Sequence, residues 1–283
     1  MIRLVTDSTA YLPPEIQKQY DIETISLKIC VGEETYDEEG GITQEAFFKL
    51  LKDVSTAPTT SQPSAGEFID LYNTLLQDGD EIVSLHISSG LSGTIPNARA
   101  AAQELAPERI SVVDSRTTAV GLFLLLIAAG EAIAAGKSRA EVVQLLERLI
   151  DQSEAVFMVE DLAYLHKGGR INSASRFLGT LLNIKPILYM YEGKIEALDK
   201  ARSSKRAKRR VLGEIAQRMG DQPVRVAVAH IQAAESAAEM AERVRGRLNC
   251  RSVYISEVGP TIGSHVGPGF LGVAACPVGQ DGS

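Results

Sequence analysis

The chain contains no tryptophan, and aromatic residues make up only 5% of its 283 positions. Extended platforms for single-stranded nucleic acid, which need an aromatic or arginine face under each base, are therefore disfavoured. Its three cysteines, Cys30, Cys250 and Cys276, are widely spaced and form no CxxC pair, and its four histidines have no metal-type spacing. Neither a disulfide framework nor a metal site is indicated, and a reducing compartment is expected. Long apolar runs are also missing. The strongest candidate, Ala119 to Gly130, has no polar residue but stops at Glu131, short of the roughly 20 residues that span a bilayer, so it reads as a buried helix. Ile2 to Val5 reads as a strand rather than a secretory leader, and a cytoplasmic location is expected. No G-x-x-x-x-G-K-[S/T] loop or kinase signature set occurs, which leaves no recognisable ATP site. Positive charge is in deficit, with 29 Lys and Arg against 36 Asp and Glu and a net charge of −7. Contact with nucleic acid or an anionic membrane would need a local basic patch.

What remains is an ordinary globular composition, 45% hydrophobic and 23% charged, whose apolar share comes almost wholly from aliphatic residues. Ile2–Val5, Ile82–Ile87, Ile110–Val113 and Val224–Ala229 are near-continuous apolar runs that end in polar, turn-forming clusters. They read as doubly buried strands of a parallel sheet. Between them lie amphipathic helices: Thr43 to Leu51, Ser64 to Leu76 with Phe68, Leu71, Tyr72 and Leu75 on one face, and Ser138 to Ile150. The last opens with a Ser138–Glu141 capping box and repeats Val142, Leu145, Leu146 and Leu149. Strand–helix alternation predicts an α/β fold whose ligands gather beyond the carboxyl ends of the strands. After about residue 155 the pattern changes. Lys185–Tyr191 and Lys194–Leu198 flank Glu192–Gly193 and predict a β-hairpin in a second, α+β-flavoured domain.

The polar clusters are the places to seek chemistry. Ser88–Ser89–Gly90–Leu91–Ser92–Gly93–Thr94 follows a strand and opens a helix, so its glycine backbone, helix N-terminus and hydroxyls suit an anion. Ordinary helix capping gives the same pattern, and the G-x-S-x-G elbow of a hydrolase is missed by one place. Pro58–Thr59–Thr60–Ser61–Gln62–Pro63–Ser64 adds a second hydroxyl-rich loop. His265 sits in a Gly/Pro-rich loop from Gly259 to Gly269, where it can donate to an anionic head group or act as a base. A serine hydrolase using Ser92 and His265, with Asp7 or Asp114, is thus an alternative. His166 to Asn172 sets two cations about a Gly–Gly turn, and residues 202–210 carry six basic side chains and no acid. That run is either a solvated helix face or a patch for phosphates, including nucleic acid, for an acidic partner or for an anionic bilayer. Glu33, Glu34, Asp37, Glu38, Glu39 and Glu45 form an acidic stretch, read as a solvated loop or interaction surface.

Taken together, these segments resemble the DegV family of bacterial fatty-acid-binding proteins, which includes the fatty-acid-binding subunits of fatty acid kinase. The matching motifs are Thr6–Asp7–Ser8–Thr9 with Leu12–Pro13, Thr60–Ser61–Gln62–Pro63, Ser88 to Thr94, Val113–Asp114–Ser115, Lys167–Gly168–Gly169–Arg170–Ile171, Lys185–Pro186, Lys200–Ala201–Arg202 and Ser264–His265–Val266–Gly267, in family order. The departures are a short polar tail after Val278 and the basic 205–210 run. The resemblance implies two α/β domains, 1–155 with a mostly parallel sheet and helices on both faces, and 156–283 with the hairpin, enclosing one lipid between them. It implies a carboxylate held by the Thr60 and Ser92 hydroxyls, by backbone around Ser61, Gly93 and Thr94, and by a network including His265. The acyl chain is expected along the apolar helix, with Phe123, Leu124 and Ile127 as its wall. The resemblance further implies that the chain is a non-catalytic carrier with a long-chain fatty acid as ligand and no cofactor. A separate ATP-binding kinase subunit would dock near Arg170 and Arg202, an acyl-phosphate-using acyltransferase would follow, and the protein would touch the inner face of the membrane transiently.

Overall fold

A computed structural model describes residues 1–53, 58–76, 79–177 and 184–278. The first half runs β1 (Ile2–Asp7), a turn of 3-10 helix (Ser8–Ala10), α1 (Pro14–Gln19), β2 (Ile22–Ile25), β3 (Lys28–Val31), β4 (Glu34–Asp37), α2 (Gln44–Asp53), β5 (Thr59–Ser61), α3 (Ala65–Leu75), β6 (Glu81–His86), α4 (Thr94–Leu105), β7 (Ile110–Asp114), α5 (Val120–Ala134) and α6 (Arg139–Gln152). The second runs β8 (Glu154–Met158), α7 (Ala163–Lys167), a 3-10 segment (Asn172–Phe177), β9 (Lys185–Tyr191), β10 (Lys194–Ala201), α8 (Ser204–Met219), β11 (Val224–His230), α9 (Ala234–Arg245), β12 (Cys250–Glu257), α10 (Pro260–Val266) and β13 (Leu271–Pro277). The polar tail after Val278 lies outside the described residues.

Three of the four apolar runs form the parallel sheet that their pattern predicts, in the order β2-β1-β6-β7. Its strands are apolar on both faces because both are covered. Val5 and Ile82 pack under α3 and α4 with Phe68, Tyr72 and Ala98, while Leu4, Val83 and Leu85 face α5 and α6. The fourth run corrects the expectation. β11 lies in a mixed six-stranded sheet, β10-β9-β8-β13-β11-β12, where β12 is its parallel neighbour and β13 its antiparallel one. A small antiparallel sheet, β4-β3-β5, is also present; its strands are too short and too polar to stand out by periodicity. The predicted hairpin is β9–β10, turned by Glu192 at φ 47 and Gly193 at φ 77, the left-handed pair that a two-residue primed turn requires. The Ser138–Glu141 capping box is formed, and Ser64 with Glu67 makes a second one.

The apolar helix explains how the two large sheets join. α5 packs on β1 and β6 on one side and on β11 and β13 on the other. Every residue from Val120 to Gly130 is buried, so no polar stripe survives on any face. Gly130 is required by close approach, since a Cβ there would stand 2.4 Å from the Tyr20 ring. Across the mixed sheet, Val226, Val228 and Val273 turn towards α8 and α9, while Ala227, Ala229 and Ala274 turn towards α5. Bulky residues fill the helix-covered face. Small ones, with Gly272 beside them, leave open volume on the inner face. No helix among the described residues is long and apolar enough to cross a membrane.

Candidate functional site

That volume is a cleft of about 880 Å³, mouth included, between the sheets. Its walls are mainly apolar, with Leu27, Ile87, Val120, Phe157, Ile195 and Phe270 among them. Its polar lining includes the predicted loops, with Thr60, Ser61 and Gln62 from β5 and beyond, Ser92 from the β6–α4 loop and His265 from α10, together with Arg170 after α7, Thr117 and Thr118 before α5, and Thr261. Segments far apart in sequence thus converge at one end of a greasy cavity.

Each segment is pinned. The carboxylate of Asp7, fully buried at the end of β1, accepts the N–H of Ile87 at 2.8 Å and sets the start of the β6–α4 loop. A buried relay backs it: Tyr72 Oη lies 2.8 Å from Ser84 Oγ, Ser84 Oγ lies 2.7 Å from His86 Nε2, and His86 Nδ1 lies 3.1 Å from Asp7 Oδ2. Since the carboxylate only accepts, His86 donates from Nδ1 to Asp7. Within the loop, Ser88 Oγ donates to the Gly193 carbonyl at 2.7 Å, and Ser89 binds Asp114. That leaves Ser92, whose Oγ pairs, among the described residues, only with Thr94 Oγ1 at 2.9 Å. Gly93 opens α4 without a side-chain cap, and a Cβ there would meet the Gln62 amide at 2.8 Å. Asn97 Nδ2 donates to the Pro63 carbonyl at 2.7 Å and holds the two hydroxyl loops together.

His265 Nε2 lies 3.0 Å from Thr60 Oγ1, and no described residue pairs with Nδ1. In the tautomer with its proton on Nε2, the neutral ring donates to Thr60 and leaves the Thr60 hydroxyl proton for a ligand. Burial first, and then the charge of Arg170, hold the ring at about 4, below its ordinary 6.5. Arg170 is itself fixed by the Leu91 carbonyl at 3.1 Å and the Gly168 carbonyl at 2.6 Å. Because the folded-state value is depressed, the unfolded chain gains a proton as pH falls below 6.5, while the folded protein waits until about 4. The contribution of neutral His265 is complete above 6.5 and is lost between these limits. His265→Gln is accordingly expected to flatten the fall of the thermal midpoint from pH 6.5 to 4; a slope equal to that of the parent protein would contradict a buried neutral ring.

Not every predicted residue meets the cavity. Thr60, Ser61, Ser92 and His265 line it together; Gly93 and Thr94 stand just behind, through Gln62 and Ser92. The expected wall of Phe123, Leu124 and Ile127 is displaced: α5 meets the cavity with its first turn, Ala119 to Gly121. Phe123 packs instead against the Tyr254 ring at 5.1 Å, Ile127 is buried in the core, and Leu124 lines a neighbouring cleft. The reason is packing, for the rest of α5 is buried between the two sheets. Arg170 is part of the wall, so the cradle is not free of charge, whereas Arg202 is exposed and is not among the lining residues. Of the basic run, Lys208 pairs with Glu239 and Arg210 with Asp199 and Glu214. Ser92 and His265 do not pair with each other, each having another hydroxyl as partner, and among the described residues no carboxylate orients the His265 ring. A hydrolytic triad requires both contacts. Gln62 and Gly168 escaped notice as site residues; Gly168 supports the ring, since a Cβ there would lie 2.1 Å from His265 Nδ1. Among the described residues no group of three or more His, Cys, Asp or Glu is placed to hold a metal.

An α/β protein with two sheets sharing one core, and an apolar cavity ending in an oriented set of hydroxyl, imidazole and guanidinium donors, is built to bind an amphiphilic anion. The chain belongs to the DegV family: residues 1–278 match the family, described as uncharacterised. Protein DegV of Bacillus subtilis (strain 168) is 38% identical over 279 residues, 97% of this chain and 99% of that protein. A solved DegV family protein from Thermus thermophilus, described by its fatty acid binding, is 35% identical with a TM-score of 0.93, over 98% of this chain and 99% of that one. The crystal structure of Bacillus subtilis DegV, described as a fatty acid binding protein, is 37% identical with a TM-score of 0.85, over 98% and 99%.

Proposed function

We propose that this chain binds one long-chain fatty acid between two α/β domains, 1–155 and 156–283, and carries it without converting it. The observation that supports this is the Thr60–His265 pair beside Arg170 at the polar end of an apolar cleft. Thr60 and Ser92 offer hydroxyl protons to the carboxylate, Arg170 supplies the countercharge, and backbone near Ser61, Gly93 and Thr94 completes the cradle. Each methylene buried in the cleft contributes about 0.8 kcal/mol, so the chain supplies affinity while the head group sets orientation. On this reading the carboxylate is presented to a separate ATP-binding kinase subunit that docks by Arg170 and exposed Arg202, and the acyl phosphate passes to an acyltransferase. The cations of the 202–210 run that are unpaired among the described residues suit transient contact with an anionic membrane face in the cytoplasm.

Organic-solvent extraction of the purified protein followed by mass spectrometry is expected to yield a fatty acid. The absence of a co-purified lipid together with no uptake of added oleate or palmitate would sink the reading. Ser92→Ala and Thr60→Val are each expected to weaken oleate retention by about 1 to 3 kcal/mol, the cost of leaving a buried charged partner unpaired.

A further inference from the structure

The acidic stretch holds one residue that is not solvated. Glu33, Glu34 and Glu39 are exposed, but Glu38 is only 8% exposed. Its carboxylate accepts from Ser8 Oγ at 2.7 Å, from Tyr11 Oη at 2.8 Å and from the backbone N–H of Thr261 at 2.8 Å. Tyr11 Oη in turn accepts the N–H of Ile262 at 3.1 Å, and the Tyr11 carbonyl accepts Ser256 Oγ at 3.1 Å.

These bonds meet the start of α10, which has no side-chain cap of its own and whose first residue, Pro260, lacks an N–H. Two of the N–H groups left free by helix geometry therefore go to residues more than 220 positions earlier in the chain. The approach is close: a Cβ on Gly259 would meet the Tyr11 ring at 2.5 Å and Glu38 Oε1 at 3.0 Å. A carboxylate at a helix N-terminus is favourable, and a buried one needs all its donors, so this docking has little freedom. One turn on from Thr261, α10 carries His265, and Thr261, Ile262, His265 and Val266 all line the cleft.

We propose that Glu38, with Tyr11, is a positioning residue pair that sets the placement of α10 and thereby holds His265 against Thr60 at the carboxylate end of the cavity. The proposal rests on the fatty-acid reading of the cleft. Oleate and oleyl alcohol, which share a chain and differ at the head, separate it from a general effect on stability.

In the delipidated full chain, Glu38→Gln is expected to weaken oleate binding roughly tenfold while changing oleyl alcohol little, and Glu38→Asp is expected to restore much of the loss. Tyr11→Phe, which keeps the ring and removes Oη, should act in the same direction. In the ligand-free protein, histidine NMR is expected to show the His265 ring titrating closer to its ordinary value in both Glu38→Gln and Tyr11→Phe. Equal losses for the two lipids, or no rescue by aspartate, would overturn the positioning role. So would a His265 ring unmoved in both variants, whatever the ligand. An unaltered protein that takes up neither lipid would overturn the fatty-acid reading instead, and the ring titration would still decide the Glu38 claim.

Discussion

Gly168→Ala is expected to weaken oleate retention by roughly tenfold to a hundredfold, a loss comparable with that of His265→Ala. The backbone at Gly168 has φ −75, so alanine is sterically tolerated by the main chain itself. The obstacle is the neighbour: the new methyl would stand 2.1 Å from His265 Nδ1, a separation that no carbon and nitrogen atoms sustain. The ring must shift to clear the methyl, and its 3.0 Å bond to Thr60 is disturbed with it, so the hydroxyl that faces the carboxylate loses its orientation. Titration of the delipidated protein with oleate measures the effect. Gly213→Ala is the matched control, for a Cβ there meets nothing within 4 Å, and it should leave binding unchanged. Undiminished affinity in Gly168→Ala would mean that the Thr60–His265 pair does not clamp the head group.

Phe123→Ala is expected to destabilise the whole chain by about 3 to 5 kcal/mol, the usual cost of emptying an aromatic site in a close-packed core. Phe123 is fully buried, stands edge-on to Tyr254 at 5.1 Å, and belongs to a continuous apolar cluster that takes in Leu4 and Val83 from the parallel sheet and Ala227 and Ala274 from the mixed one. Because α5 serves both sheets, urea unfolding followed by far-ultraviolet circular dichroism should show one transition moved to lower denaturant. Two separated transitions, with one at its original midpoint, would contradict a shared core. Since Phe123 does not line the cleft, oleate affinity measured well below the unfolding transition should change far less than in Gly168→Ala.

The contrast between these substitutions marks what the sequence could show. Short-range signals were legible because their physics is local. Val/Ile runs predict doubly covered strands, Ser138 and Glu141 close a capping box four residues long, and Glu192–Gly193 adopts the φ values of a primed turn. The hydroxyl loops were legible too, since a Gly–Ser–Thr cluster after a strand places donors at a helix start whatever the rest of the chain does. The composition of α5 announced complete burial but not its partners. Only the packing shows that it is wedged between two sheets, and that its first turn, rather than Phe123, Leu124 and Ile127, reaches the cleft.

Glu38 shows the same division. By sequence it is one acid among several. In the fold it accepts from Thr261, 223 residues away, and Tyr11 accepts from Ile262, 251 residues away. The sequence by itself determined the α/β alternation, the hairpin, the buried helix and the family, because each rests on the order of neighbouring side chains. The tertiary structure alone decided the cleft, the neutral His265 on its Gly168 support, the inward Arg170 and the Glu38 docking of α10. Burial, desolvation and close approach depend on which distant segments share a volume, and no local pattern encodes that.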